Sequence, residues 1–155
     1  MKAKQYYRKP ESVKKLEQLA FDDIKARNPN FPYPPKRIYR DDSTNNLTKC
    51  IVDWICLNGY QAERINSTGR RFIVNGAERW IKGSGTIGTA DISATIRGRS
   101  VKIEVKCKAT GDKYQSKHQK QYQQQIEQAG GVYIIARDFN QFIEWYNHFL
   151  NELKQ

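Results

Sequence analysis

Two short stretches of this chain carry residue types that could share one piece of chemistry. Gly88-Thr-Ala-Asp91-Ile is followed, thirteen residues after Asp91, by Glu104-Val-Lys106. The second stretch ends the run Val101-Lys-Ile-Glu-Val-Lys106, which alternates strictly between apolar and polar residues. Such alternation predicts a half-buried strand. Successive side chains of a strand point to opposite faces, so Val101, Ile103 and Val105 would face a core, and Lys102, Glu104 and Lys106 would share the other face. Residues 91–96 alternate in the same way, with Ile92, Ala94 and Ile96 on one side and Asp91, Ser93 and Thr95 on the other. The link Arg97-Gly98-Arg99-Ser100 suits a hairpin turn. Pairing the two strands brings Asp91 towards Glu104 and Lys106. Two carboxylates and an ammonium gathered in this way make a hard-oxygen site for Mg²⁺ or Mn²⁺ with a cation beside it. That is chemistry for phosphodiester hydrolysis. The metal polarises the phosphate and lowers the pKa of an attacking water, while a lysine orients or deprotonates that water or stabilises the pentacovalent charge. The same three residues also suit the solvated face of an edge strand, with Asp91 capping a turn.

Further residues accompany this set in order: Arg64-Ile-Asn66-Ser-Thr68-Gly69 upstream, then Asp112, Ser116-x-x-Gln119-x-x-Tyr122 and Ala129-Gly130-Gly131-Val-Tyr133 downstream. With Gly88-x-x-Asp91 and Glu104-Val-Lys106 they resemble the PD-(D/E)XK nuclease superfamily and, within it, the VRR-NUC group, over roughly residues 44–137. Two departures stand out. Ile134-Ile-Ala-Arg137 replaces the valine-arginine-arginine of that group. Thr48, flanked by Asn45 and Asn46, stands where related nucleases and Holliday-junction resolvases often place a metal-binding glutamate on the first helix. The resemblance implies a restriction-endonuclease-like core and a Mg²⁺- or Mn²⁺-dependent DNA endonuclease. Asp91 and Glu104 would be its metal ligands, with the Val105 carbonyl as a third oxygen. Lys106 would serve the attacking water, and Gln119 would position the lysine, the water or a phosphate. It also implies structure-selective cutting of junctions, flaps or nicks, in recombination or phage replication, by a cytoplasmic enzyme that is bacterial or phage-encoded. Two other readings remain: a sequence-specific restriction-type enzyme, although no large insertion is present to read a long site in the major groove, and a catalytically inactive DNA-binding module on the same fold.

Composition agrees with a polyanionic partner. The 155 residues carry a net charge of +11, of which residues 1–40 hold +7. A basic arm joined to a more balanced domain is a common arrangement for gripping phosphates, though a soluble basic protein has the same balance. The expected organisation is a helical, basic and proline-rich arm over 1–40 and a nuclease domain over 41–155. No apolar run is long enough to span a membrane, and the N-terminus lacks the apolar core of a signal peptide. Cys50, Cys56 and Cys107 have no zinc spacing and suit buried thiols in a reduced, cytosolic protein. No phosphate loop is present: the segment 83–88 is glycine-rich but lacks the glycine-lysine-hydroxyl ending.

The elements that must position the site follow from periodicity. Residues 11–27 read as a helix capped by Ser12, with Val13, Leu16, Leu19 or Ala20, and Ile24 at helical spacing. Pro29, Pro32, Pro34 and Pro35 then impose an extended linker. In it, Phe31, Tyr33 and Tyr39 interleave with Lys36, Arg37 and Arg40, to stack on unpaired bases or to pack onto the domain or a second subunit. A helix is expected over 44–58, ended by Gly59, with Leu47, Ile51, Trp54 and Ile55 inside. A strand is expected over 61–66, and a hairpin turning at Asn75-Gly76. Residues 116–128 form a helix capped by Ser116. The apolar run 132–136 predicts a central strand, and 140–153 an amphipathic helix through Phe142, Ile143, Tyr146, Phe149 and Leu150. The order suits an α/β fold with a mixed sheet covered on both sides.

Several residues add weaker signals. Gln119 and Tyr122 lie one helical turn apart and would point together at the catalytic edge. Lys108, Lys113 and Lys117 would flank it, and Arg64, Arg70 and Arg71 could clamp backbone phosphates; each is equally a solvated surface residue. His118 has no partner at ligand spacing. One site cuts one strand, so a homodimer is expected to supply two cuts, paired through the last helix and the proline-tyrosine linker.

Overall fold

The computed structural model describes residues 6–66, 70–81 and 85–154, with only the backbone described at Arg70 and Ile81. The last three residues of the Arg64–Gly69 motif and the start of the 83–88 loop therefore lie outside the described residues.

The chain runs through α1 (Glu11–Arg27), α2 (Thr44–Leu57), β1 (Gln61–Arg64), β2 (Arg70–Val74), β3 (Ala77–Ile81), β4 (Ile92–Ile96), β5 (Arg99–Val105), α3 (Lys117–Gln128), β6 (Val132–Ala136) and α4 (Phe139–Glu152). The main sheet has the order β1-β4-β5-β6. β1 and β5 are antiparallel to β4, and β6 is parallel to β5, so the sheet is mixed. Among the described residues, β2 and β3 pair only with each other.

Strand parity decides the two faces. Ile92, Ala94, Ile96, Val101, Ile103 and Val105 are all buried and join one cluster with Val13, Leu16 and Ala20 of α1, Leu47, Ile51 and Ile55 of α2, and Phe139, Phe142, Tyr146 and Phe149 of α4. α3 contributes nothing to that cluster. It packs against β6 and covers the opposite face, the one that carries Glu104. The fold is thus a mixed sheet flanked by helices, and the site lies under α3.

Several expectations need correction. The helix α1 has the expected bounds, but its N-cap is Pro10; Ser12 is buried with its hydroxyl unpartnered, because it lies inside the first turn beside Val13. The strand β6 is at the sheet edge among the described residues, not central: its apolar run is explained by α3 and α4, both of which pack against it. The hairpin between β4 and β5 is tighter than expected, with Arg97 and Gly98 at φ 48° and 75° as its whole turn, so Arg99 and Ser100 join β5 rather than the link, while Asp91 stands just before β4. Cys50 and Cys107 are buried, but Cys56 is exposed, since it lies a helical step off the 47-51-55 stripe. On α4, Phe139, Phe142, Tyr146 and Phe149 are buried within this chain, and Ile143, Trp145 and Leu150 are partly buried against the same cluster. In the linker, Tyr39 alone of the three aromatics is buried, its hydroxyl donating to Asp53 at 2.7 Å, while Phe31 and Tyr33 are exposed.

Candidate active site

The β4–β5 hairpin brings the two motifs together. Ile92 pairs with Ile103, so Asp91, one residue before β4, lies level with the end of β5. Its Oδ2 accepts from the Val105 backbone N–H at 2.8 Å, and its carbonyl accepts from the Ile65 N–H at 2.7 Å. The carboxylate is therefore pinned to the strand that carries Glu104, one residue away from it.

Gly88 explains the glycine of the first motif. It has φ +84°, and a Cβ there would stand 2.4 Å from the backbone carbonyl of His118. Only glycine both adopts that conformation and allows the loop to lie against the first turn of α3. This close approach fixes Asp91 relative to α3.

Glu104 is only 2 % exposed. Its Oε1 accepts from the Gln119 side-chain amide and lies 3.3 Å from Lys106 Nζ. Its Oε2 is buried with no hydrogen-bond partner. Burial first, and the nearby charge of Asp91 second, push its carboxyl up to about 7, while Lys106 opposes the shift. Lys106 is also buried, and its Nζ reaches Asp112 Oδ2 at 3.3 Å. Burial pulls its ammonium down, but the attraction of Glu104 and the bonds to Glu104 and Asp112 outweigh this and hold it above its ordinary value.

α3 is built to hold Glu104. Ser116 is its N-cap and forms a capping box: its hydroxyl accepts from the Gln119 N–H, and the Gln119 side-chain oxygen accepts from the Ser116 N–H at 2.8 Å. With the oxygen of its amide so engaged, the NH₂ group of Gln119 is turned towards Glu104.

The donor set suits a hard divalent cation. Its atoms are carboxylate oxygens, and the unpartnered Oε2 of Glu104 would otherwise leave a buried polar atom uncompensated. Asp91, Glu104 and the Val105 backbone are the atoms that would hold such an ion. No cluster of three or more carboxylate, histidine or cysteine residues occurs among the described residues. On α2, Thr48 is buried and its hydroxyl donates to the Thr44 carbonyl at 2.7 Å, Asn45 Oδ1 accepts from Arg64 Nη2 at 2.7 Å, and Asn46 donates to Asp42.

The remaining sequence candidates divide. Gln119 touches Glu104, while Tyr122 packs edge-to-face on Tyr133 of β6, with ring centroids 6.3 Å apart. Lys108, Lys113 and Lys117 are exposed; Lys108 and Lys113 line, with Asp112, Arg137, Asp138 and Gln141, a cavity of about 290 Å³ beside the lysine end of the site. Arg64 is exposed at the end of β1, Arg71 is exposed on the β2–β3 hairpin, and Arg70 opens β2. The partner that residue-level reasoning left without a role is Asp112. It lies six residues beyond Lys106, past a turn, where neither strand nor helix spacing relates the two. Family models, characterised proteins and solved structures give no match to this chain.

Proposed function

We propose that this protein is a divalent-metal-dependent DNA endonuclease of the PD-(D/E)XK kind, built on a restriction-endonuclease-like core and selective for branched, flapped or nicked DNA. One observation carries the reading: Glu104, buried and within reach of the charge of Asp91, has one oxygen held by Gln119 and Lys106 and the other unpartnered. A structural carboxylate at the end of a strand would have both oxygens satisfied or exposed. Mg²⁺ or Mn²⁺, held by Asp91, Glu104 and the Val105 carbonyl, would supply Lewis acidity towards the phosphate and an acidified water. Lys106, as an ammonium anchored by Asp112, would donate to the water or to the charge that builds on the phosphate. Gln119 fixes the rotamer of Glu104. The net charge of +11 supplies the attraction for the backbone.

A second reading, an inactive DNA-binding module, has its own support in Thr48: it occupies the place of the helix glutamate and is bonded to its own helix. Incubation with linear and branched DNAs in Mn²⁺ or EDTA separates the two. Cleavage in Mn²⁺, abolished by Asp91→Ala and Glu104→Ala with DNA binding retained, is the expected result. Lys106→Ala should slow it by about 10²–10⁴-fold, as for a positioned acid–base or charge-stabilising group. Full activity in EDTA, or in the Glu104→Ala protein, would overturn the assignment.

A further inference from the structure

The β2–β3 hairpin stands apart from the sheet. Among the described residues it pairs with no other strand, and every side chain from 71 to 80 is exposed. Its turn is well formed, with Asn75 and Gly76 at φ 51° and 77°, the two left-handed residues that a tight hairpin needs. Yet it holds four large apolar side chains in the open: Phe72, Ile73, Val74 and Trp80. Apolar groups so displayed mark an interaction site.

Their distribution points to the kind of partner. The register pairs Phe72 with Arg79 and Arg71 with Trp80. Directly paired residues share a face, and successive residues alternate, so these two pairs lie on opposite faces of the ribbon. Each face thus presents one aromatic beside one arginine. A ribbon that docked on another protein would gather its apolar residues on one face and leave charge on the other. Glu78 is the one acidic residue in the hairpin, 3.9 Å from Arg71. Glu78 shares the Arg71–Trp80 face, but each face keeps an arginine beside an aromatic, and a ribbon so furnished on both sides suits a cleft with phosphate walls on both sides. The place where two duplex arms part is such a cleft, and it also exposes the faces of terminal base pairs.

We propose that the β2–β3 hairpin is a wedge that enters branched DNA, with Arg71 and Arg79 facing the backbones of the two arms and Trp80 stacked on an unpaired or terminal base. This rests on the reading of DNA as the partner of the Asp91–Glu104 site. The hairpin is inserted between β1 and β4, whose pairing places Arg64 opposite Ile92, next to Asp91. A branch seated on the wedge therefore has its backbone close to the carboxylates.

The test measures affinity in EDTA for a four-way junction, a flap and an unbranched duplex of equal length, so that binding is read whether or not the protein cuts. Trp80→Ala should weaken binding to the junction and flap about tenfold, as expected for loss of one stacked base, and leave the duplex within about twofold. Trp80→Phe should restore most of the loss. A 2-aminopurine placed at the branch should change fluorescence with the native protein and not with Trp80→Ala. Melting temperatures should be unchanged, because the side chain is exposed. Equal loss on all three DNAs, no loss, or a dimer that becomes a monomer on Trp80→Ala would overturn the wedge. Branch binding through Trp80 with no cleavage in Mn²⁺ would sink the nuclease reading and leave the wedge standing. Cleavage that is indifferent to Trp80 would do the reverse.

Discussion

Gln119 joins the N-terminus of α3 to Glu104 through a single amide. Its oxygen accepts from the Ser116 N–H, and its nitrogen donates to Glu104 Oε1. The cap of α3 and the clamp on Glu104 are thus the same side chain. Losing the cap alone and losing the clamp should then have separable costs. Ser116→Ala should lower stability by about 1 kcal/mol, the usual cost of an N-cap, with little change in Mn²⁺ affinity. Gln119→Ala should cost about as much stability and, in addition, weaken Mn²⁺ binding by roughly 10–100-fold, as loss of a residue that orients a ligand does. Isothermal titration with Mn²⁺ and thermal melting, read on both variants, check this; equal Mn²⁺ affinities would remove Gln119 from the site.

The raised carboxyl of Glu104 makes stability depend on pH in a definite direction. Its ordinary value is 4.5 and burial lifts it to about 7. Below pH 4.5 the group is protonated both folded and unfolded and costs nothing. As pH rises towards and through 7, the unfolded chain releases this proton first, and folding loses on the order of 3 kcal/mol. Glu104→Gln, neutral at every pH, should therefore melt higher than the native protein at pH 8 without metal and match it near pH 4. Adding Mn²⁺ at pH 8 should stabilise the native protein and leave Glu104→Gln unmoved.

The elements of this fold were legible because local pattern and tertiary packing agree in them. The bounds of α1 and the turn of the β2–β3 hairpin follow directly from apolar spacing and from Asn75-Gly76. The parity that puts Glu104 opposite Ile103 could be read from six residues. What pattern could not supply is neighbourhood. An unbroken apolar strand such as 132–136 looks the same at an edge under two helices as in the middle of a sheet. Likewise the bond from Lys106 to Asp112 depends on the path of a turn, and the approach of Gly88 to His118 on the docking of α3. Both cross gaps that carry no periodicity.

The N-terminal helix allows a test of what residues 1–40 do. Val13, Leu16 and Ala20 lie in the same buried cluster as the sheet. Leu16→Ala should cost about 2–5 kcal/mol, as for a large core residue cut to alanine. The exposed cations of the linker should act differently. Neutralising Lys36 and Arg37 should leave the melting temperature nearly unchanged and make the slope of log K for DNA against log salt shallower by roughly 0.9 for each phosphate the protein no longer neutralises. A fall in melting temperature with an unaltered slope would assign these cations to folding instead.

Gly88 offers the sharpest separation between strain and steric exclusion. Gly88 and Gly98 both have positive φ, +84° and +75°. A Cβ on Gly98 would meet nothing within 4 Å, whereas on Gly88 it would stand 2.4 Å from the His118 carbonyl and 2.8 Å from the Gln119 nitrogen. Gly98→Ala therefore carries only the conformational penalty, about 1 kcal/mol. Gly88→Ala carries that penalty and must also push the loop off α3, for about 3 kcal/mol or more in all. The displaced atoms are the backbone of the residue that clamps Glu104 and the loop that delivers Asp91. Gly88→Ala should thus lose Mn²⁺ binding as well as stability, while Gly98→Ala keeps its metal affinity. If the two variants melt together and bind Mn²⁺ alike, the close approach of the loop to α3 does not position the site.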